Sequence, residues 1–506
     1  MTDTAQSGAI GEAGVAIPVS PAGAPERTLR QQVVRGSAWT IVGFVGTQVI
    51  RLAGNLILVH LLPQSAFGLM GLVSAFLIGL EMLSDLGGGG SVVQHPKGES
   101  EPYLRTAWSI AAVRGMLLWL IACVAALPFA WAYGHAVLSW IVPISACSAL
   151  ATGLLSARVY VLHRRMTLGP MAAIDVGSLV AGQLVMIGWA LISPSVWALV
   201  VGGLAGTLLR VVLSHVALPG PRDRFGWDRE AASAVLHFGA WIFASSMLTF
   251  LAAQSDRLIF GALIPLDLLA AYSVAVMLAT MPTFAVGALA IRILYPVFSR
   301  MNTPDGGLAR QFARSRRPLL IACGWVLSGM IAGGPTIIAI LYPAGFAPAG
   351  WMLSVLAMGA WLTVLESGYG MAFFALGKGK FAAAANAAKL AGMIVLIPVG
   401  YRLGGFPGAV GAFAATEGVR YAASTLLARR LGLRAWAQDL GHSLVVVAAS
   451  GAGYGLAWAA AAYGLGPAGQ AAGVFVVATA IWLPAAVPEL RRLRAEHDGA
   501  PAGREG

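Results

Sequence analysis

Runs of about 20 or more apolar residues recur along nearly the whole chain, each long enough to cross roughly 30 Å of hydrocarbon at about 1.5 Å per residue. Hydrocarbon offers backbone amides and carbonyls no partner, so such runs must satisfy themselves as helices. With 58% of its 506 residues hydrophobic and 11% charged, the chain lies outside the range of soluble domains. The reading is an all-α polytopic membrane protein of about 14 transmembrane helices, centred in 36–60, 66–88, 107–131, 136–158, 170–192, 194–217, 238–262, 270–298, 318–341, 350–376, 381–402, 407–428, 442–463 and 468–488.

One of these runs repeats. The stretch GSAWTIVGFVGTQVIRLAGNLILVHLLP from Gly36 to Pro63 returns without a gap as FGAWIFASSMLTFLAAQSDRLIFGALIP from Phe238 to Pro265, a shift of 202 residues from Trp39 to Trp241. Matched positions include Thr47 and Thr249, Leu56 and Leu258, and Pro63 and Pro265. An even number of spans separates the copies, so they start from the same side and form parallel repeats, the arrangement that transporters use around a central site. The organisation expected is a disordered cytoplasmic tail over 1–35, a lobe over 36–217 holding helices 1–6, and a basic cytoplasmic linker over 218–237. A second lobe of helices 7–12 follows over 238–428, then helices 13 and 14 within 429–490 and a cytoplasmic tail over 491–506. The later part of the linker suits a short interfacial helix.

Lys and Arg set the orientation, because cytoplasmic connectors retain positive charge. Arg105, Arg164, Arg165, Arg222, Arg224, Arg229, Lys378, Lys380, Arg429 and Arg430 all fall on one side, whereas the short connectors of the other hold essentially none. Both termini are therefore assigned to the cytoplasm. The net charge of +12 needs no nucleic acid, since anionic lipid headgroups account for it. Cys123, Cys147 and Cys323 lie within spans without paired spacing, which argues against disulfides and structural zinc, and no cofactor or metal is expected.

Nine cations fall within or at the edge of spans: Arg51, Arg114, Arg158, Arg210, Arg257, Arg292, Lys389, Arg402 and Arg420. Each costs about 2.5–3.5 kcal/mol at a helix centre, so they cannot all face lipid. Local neutralisation accounts for several: Glu366 with Lys389, Glu81 with Arg114, Glu417 with Arg420 three residues away, and Asp175 with Arg158. Arg51, Arg210, Arg292 and the adjacent Asp256 and Arg257 remain as site candidates. Gln48 and Asn55 share the helix face of Arg51, and a polar stripe of this kind faces protein or water; a buried hydrogen-bonded seam explains it as well. Gln254 joins Gln48 and Asn55 as a candidate cavity residue. Glu81, Asp85 and Asp256 are the candidates for ion coupling, although Glu81 and Asp85 serve equally as counter-charges to Arg51 and Arg114.

The segments RGSAWTIVGFVGTQVIRLAGNLILVHLLPQSAFGLMGLV, LSDLGGGGSVVQHP, PSVWALVVGGLAGTLLRVVLSH, RFGWDREAA and QSDRLIFGALI resemble the Wzx-type oligosaccharide flippases of the multidrug/oligosaccharidyl-lipid/polysaccharide exporter superfamily. The resemblance covers most of residues 35–300, with Gly88 to Gly90 as a departure from the family pattern. It implies two six-helix lobes in a V around a cavity lined chiefly by helices 1, 2, 7 and 8, with two C-terminal helices appended. It also implies a substrate: a polyprenyl-pyrophosphate-linked oligosaccharide, moved from the cytoplasmic to the periplasmic leaflet of a bacterial inner membrane for exopolysaccharide, capsule or O-antigen export. The partners implied are this substrate, membrane lipids and polysaccharide polymerase and export machinery, with the protein acting as a monomer. Arg51, Arg257, Arg292 and Arg210 are then the residues expected to bind the pyrophosphate, which arginine grips bidentately.

Rival readings are a lipid-linked peptidoglycan precursor flippase, an ion-coupled drug exporter of the same superfamily, and a membrane-embedded glycan polymerase or ligase. A drug exporter needs acidic cavity residues to hold cations. The enzymes generally need a substantial outer loop, which this chain lacks.

Overall fold

A computed structural model describes residues 46–82, 84, 88–165, 169–220, 222–289 and 308–498. Among them no strand occurs. The helices are α1 over 46–61, α2 Gln64–Met82, α3 Gly88–Gln94, α4 Glu101–Tyr133, α5 Leu138–Gly153, α6 Arg158–Arg164, α7 Gly169–Ile192 and α8 Trp197–Val216. They continue as α9 Arg229–Leu263, α10 Leu266–Leu289, α11 Leu308–Leu341, α12 Ala349–Ala375, α13 Gly379–Arg429, α14 Trp436–Ala462 and α15 Pro467–Asp498.

Ten helices among the described residues are long and apolar enough to span a membrane, or up to eleven if α5 and α6, bent by 60°, form one span. The expectation was about 14. Part of the difference lies in α1, which is described only from residue 46, and in α9, where the side chains of 236–249 fall outside the description. Another part lies in α13, whose 51 residues turn back on themselves. The turn is at Gly404 and Gly405, and Gly405 has φ 60° and ψ −147°, a conformation closed to other residues. The two arms touch backbone to backbone: a Cβ on Gly408 would lie 2.1 Å from the Gly400 carbonyl oxygen.

Lipid tails are as apolar as leucine, so close packing at small residues does more than hydrophobicity to hold these helices together. Gly115 and Gly153 bring α4 and α5 into contact, and Gly182 and Gly206 do the same for α7 and α8. Along the linker, 222–228 run without regular structure and are tied to α4, where Ser109 Oγ and Thr106 Oγ1 accept from the amides of Gly226 (3.0 Å) and Asp228 (2.9 Å). Asp228 caps α9 by accepting from the Ala231 amide at 2.8 Å. The segment expected as a separate interfacial helix is thus the start of α9, which continues unbroken to Leu263 because nothing after the cap interrupts its hydrogen bonding.

The repeat survives as geometry. α2 begins at Gln64 and α10 at Leu266, again 202 residues apart, and the carbonyls of Pro63 and Pro265 each accept an amide in the following turn at 3.0 Å. Trp39 and the side chain of Trp241, which also frame the repeat, lie outside the described residues. The two proline turns meet at the end of the molecule opposite the arginine-rich connectors. There Gln64 Nε2 donates to the Asp267 carbonyl oxygen at 2.7 Å, and a Cβ on Gly68 would lie 2.2 Å from the Leu266 carbonyl oxygen. A large apolar core forms around this junction, with Val59 and Leu72 packed among Phe260, Leu269, Tyr272, Ile338 and Phe346.

The intramembrane charges choose partners that sequence depth alone did not indicate. Glu366 and Lys389 do not pair directly. Lys389 Nζ lies 2.7 Å from Glu417, while Arg420 bridges Glu417 (3.1 Å) and Glu366 (3.4 Å). The Glu417–Arg420 contact is the expected one, and the four residues form a neutral buried cluster of two acids and two bases, joined by Ser424 Oγ, which donates to Glu366 at 3.0 Å. Arg114 donates to the Glu81 carbonyl oxygen at 2.7 Å and to Ser84 Oγ at 3.0 Å, so it caps the end of α2 where an ion pair with the Glu81 carboxylate was expected. Asp175 takes Arg210 in place of Arg158, because α7 packs along α8. Arg158 donates to the carbonyl oxygens of His215 and Leu218, at 3.0 and 2.6 Å. At the C-terminal end α14 and α15 pack on α11, where the Arg316 guanidinium lies against the rings of both Phe312 and Tyr369 and 3.0 Å from Asp439.

Breaking the neutral cluster on one side leaves an uncompensated buried charge. Lys389→Met is expected to destabilise the protein by about 3–5 kcal/mol, and Lys389→Met with Glu417→Gln to recover most of that loss. Thermal unfolding in detergent measures both, and a double variant no more stable than the single one contradicts the assignment.

Candidate functional site

The polar stripe of α1 divides at the junction between the lobes. Gln48 and Arg51 line a cavity of about 560 Å³, and Arg51 is exposed to it. Asn55, one turn further along, has entered the seam instead: its Oδ1 accepts from Tyr342 Oη at 3.0 Å. Close by, Tyr133 Oη donates to the Leu258 carbonyl oxygen at 3.0 Å. Together with the contact at Gly68, these bonds join the lobes on the side away from the arginine-rich connectors, so the cavity lies on the basic side of the seam.

Three helices line this cavity among the described residues. α1 supplies Thr47, Gln48 and Arg51, α7 supplies Asp175, and α10 supplies Met277, Thr280, Met281 and Phe284. Of the helices expected to line it, 1 and 8 (α1 and α10) do so, and α7, the fifth span, takes part as well; α2 packs against α10 and α9, and the side chains of helix 7 (α9) over 236–249 lie outside the described residues. One wall is cationic and polar; the facing wall is methionine and aromatic.

A second cavity, of about 450 Å³, opens beside the first and shares Thr47, Arg51 and Asp175 with it. It runs between α1, α7 and α8 to Gln183, Thr207 and Arg210. Arg210 Nε donates to Asp175 Oδ1 at 2.7 Å, which holds the guanidinium against the cavity wall and leaves its two terminal nitrogens outside that bond. Both side chains are more than a third exposed, so the pair orients more than it stabilises. Two arginine forks on one lobe, one of them steered by a carboxylate, suit an anion with several oxygens.

The other candidates lie elsewhere. Asp256 is buried in the core beside the seam, where its Oδ2 accepts from Tyr272 Oη at 2.6 Å, and its Oδ1 has no hydrogen-bond partner among the described residues. Arg257 is half-buried on the same helix, and Gln254 is half-buried with an unpartnered Oε1. Glu81 is half-buried at the end of α2, outside both cavity linings. Asp85 and Arg292 lie outside the described residues. No three His, Cys, Asp or Glu side chains among the described residues converge, so none are assigned to a metal.

The sequence marks Asp175 only as a structural counter-ion, and the structure adds Ser178, Gln183 and Thr207 to the cavity wall. A signal existed: Asp175, Ser178 and Gly182, followed by Gln183, mark one small and polar face of an otherwise apolar helix, and Thr207 and Arg210 are three apart on the next.

The family described as polysaccharide biosynthesis protein matches residues 57–349, more than half of the chain. The teichuronic acid biosynthesis protein TuaB of Bacillus subtilis (strain 168) is 20% identical over 368 residues, which cover 70% of this chain and 74% of TuaB. The lipopolysaccharide biosynthesis protein WzxC of Escherichia coli (strain K12) is 21% identical over 281 residues, 54% and 56% of the two chains. Among solved structures, the lipid II flippase MurJ in an inward closed conformation superposes with a TM-score of 0.71 at 11% identity, covering 90% of this chain and 99% of MurJ. At that identity the likeness establishes the fold.

Close approach at the seam yields a test. Gly68→Val places branched carbon against the Leu266 backbone and is expected to shift the protein towards a state open on the side opposite the basic connectors. In a variant lacking the native cysteines, a Thr280→Cys probe should then react at least several-fold faster with an impermeant maleimide added on that side. Unchanged reactivity would mean that the Gly68 contact does not hold the lobes shut.

Proposed function

This chain belongs to the polysaccharide biosynthesis protein family, and we propose that it is a flippase carrying a polyprenyl-pyrophosphate-linked oligosaccharide across the membrane for polysaccharide export. The observation that carries this reading is Arg51 at the meeting point of two cavities, with Arg210 held beside it by Asp175. A pyrophosphate entering a low-dielectric region needs such cations, and the distribution of charge makes the basic side the cytoplasmic one. Polar head and glycan enter the cavity from that side while the polyprenyl tail stays in lipid. Rocking of the lobes then parts the seam at Gly68, Gln64 and Asn55 and releases the head to the periplasmic leaflet.

The protein has only to lower the barrier for the head group, since the tail never leaves hydrocarbon. No covalent chemistry is required, in keeping with a transporter rather than a polymerase or ligase. Asp256 is the proposed coupling carboxylate for the return step, because it is buried beside the seam with a tyrosine as its hydrogen-bond donor. Asp256→Asn is expected to abolish stimulation of transport by an imposed pH or sodium gradient in proteoliposomes. Equal stimulation in the variant would remove Asp256 from that role.

Arg51→Ala removes a charge-assisted contact and is expected to weaken transport about 10–100-fold, with Arg51→Lys intermediate because it keeps the charge and loses the fork. The readout is surface polysaccharide together with accumulation of the lipid-linked oligosaccharide in cells. Normal export by a correctly inserted Arg51→Ala protein overturns the assignment.

A further inference from the structure

The side cavity between α1, α7 and α8 holds more hydrogen-bonding atoms than a pyrophosphate would use. Ser178 is 3% exposed, and its Oγ has no hydrogen-bond partner among the described residues. Gln183 Oε1 is likewise sealed from solvent and unpartnered. Both residues line this cavity, as does Thr207, whose hydroxyl donates to the Gly203 carbonyl at 3.0 Å and keeps its lone pairs as acceptors. Buried polar groups are normally satisfied, and a ligand in this cavity could complete the bonding of these two, which stand together beside the two arginines.

Backbone glycines make the room. Gln183 lies flat on α1 at Gly54, where a Cβ would come within 2.2 Å of Oε1, so any side chain at that position would push the amide away. The chemistry differs from that of the main cavity, whose α10 wall presents Met277, Met281 and Phe284. Alternating hydroxyl and amide groups next to two arginines match a ring that carries hydroxyls and is attached to phosphate.

We propose that the side cavity is a saccharide subsite, taking the sugar ring nearest the pyrophosphate. The phosphates lie at Arg51 and Arg210, and the ring hydroxyls bond to Ser178, Gln183 and Thr207. The assignment rests on the pyrophosphate reading above and adds to it where the head group is recognised. All of these residues belong to one lobe, so the ring stays with that lobe as the two rock apart, and the glycan is selected before the seam opens.

The test compares bare undecaprenyl pyrophosphate with its glucosyl, galactosyl and N-acetylglucosaminyl derivatives, by binding to the purified full-length protein in nanodiscs. At least one derivative should bind about tenfold more tightly than the bare lipid, the scale of one or two hydrogen bonds. Ser178→Ala with Gln183→Leu should erase that increment and leave affinity for the bare lipid intact, which also reports correct folding. Arg51→Ala should weaken every ligand.

No preference for any glycosylated lipid in the wild type, or a preference unaltered in the double variant, overturns the subsite. The second result would mean that Ser178 and Gln183 stay sealed in the helix packing and do not meet the ring. Equal loss for bare and glycosylated lipids in the double variant also overturns it, by assigning these residues to packing or to phosphate. If the wild type does not bind the bare lipid at all, the pyrophosphate reading fails and the subsite with it.

Discussion

The approach of Gly68 to the Leu266 carbonyl, one lobe's backbone against the other's, is the contact on which the remaining architecture depends. Two helices can come that near only where one lacks a Cβ. Once they do, Gln64 reaches the Asp267 carbonyl, Asn55 reaches Tyr342, and an apolar core closes around them. Sealing this end leaves the space between the lobes on the basic side, where Arg51 sits. The repeat places a proline just before α2 and just before α10, and these two helix starts meet.

Charge inside the membrane is handled in two ways. Lys389, Arg420, Glu366 and Glu417 neutralise one another within one lobe, each close to fully buried, so the cost of desolvation is offset by mutual attraction. Arg51 and Arg210 lie in cavities instead, where water or a ligand can reach them. Asp175 stands between these cases: it neutralises Arg210 and steers it at the same time. The resulting cationic wall on one lobe, facing a methionine and phenylalanine wall on the other, gives the cavity two chemically different sides from a duplicated scaffold.

Much of this was legible in the sequence, for identifiable reasons. The helices were readable because lipid leaves the backbone no alternative, and the proline turns because the repeat carries them at a fixed offset. Arg51 with Gln48 was readable because helical periodicity places them on one face. The partner of Asp175 was not, since Arg158 and Arg210 are both plausible by depth and only the packing of α7 along α8 chooses between them. Depth likewise suggests Glu366 with Lys389, but Glu417 and Arg420 are interposed. Asn55 looked like a cavity residue because its helix face is right, yet it lies one turn past the point where the cavity ends.

By itself the sequence determined an all-helical membrane protein, its internal duplication and its kinship, because these follow from local hydrophobicity, period and residue identity. Only the tertiary structure decided which intramembrane charges face the cavity, which face one another, and that Ser178, Gln183 and Thr207 gather beside Arg210. The physical reason is that position along a helix fixes depth and face but not the neighbour. In a bundle whose interfaces are set by small residues, the neighbour follows from how nearly two backbones can approach.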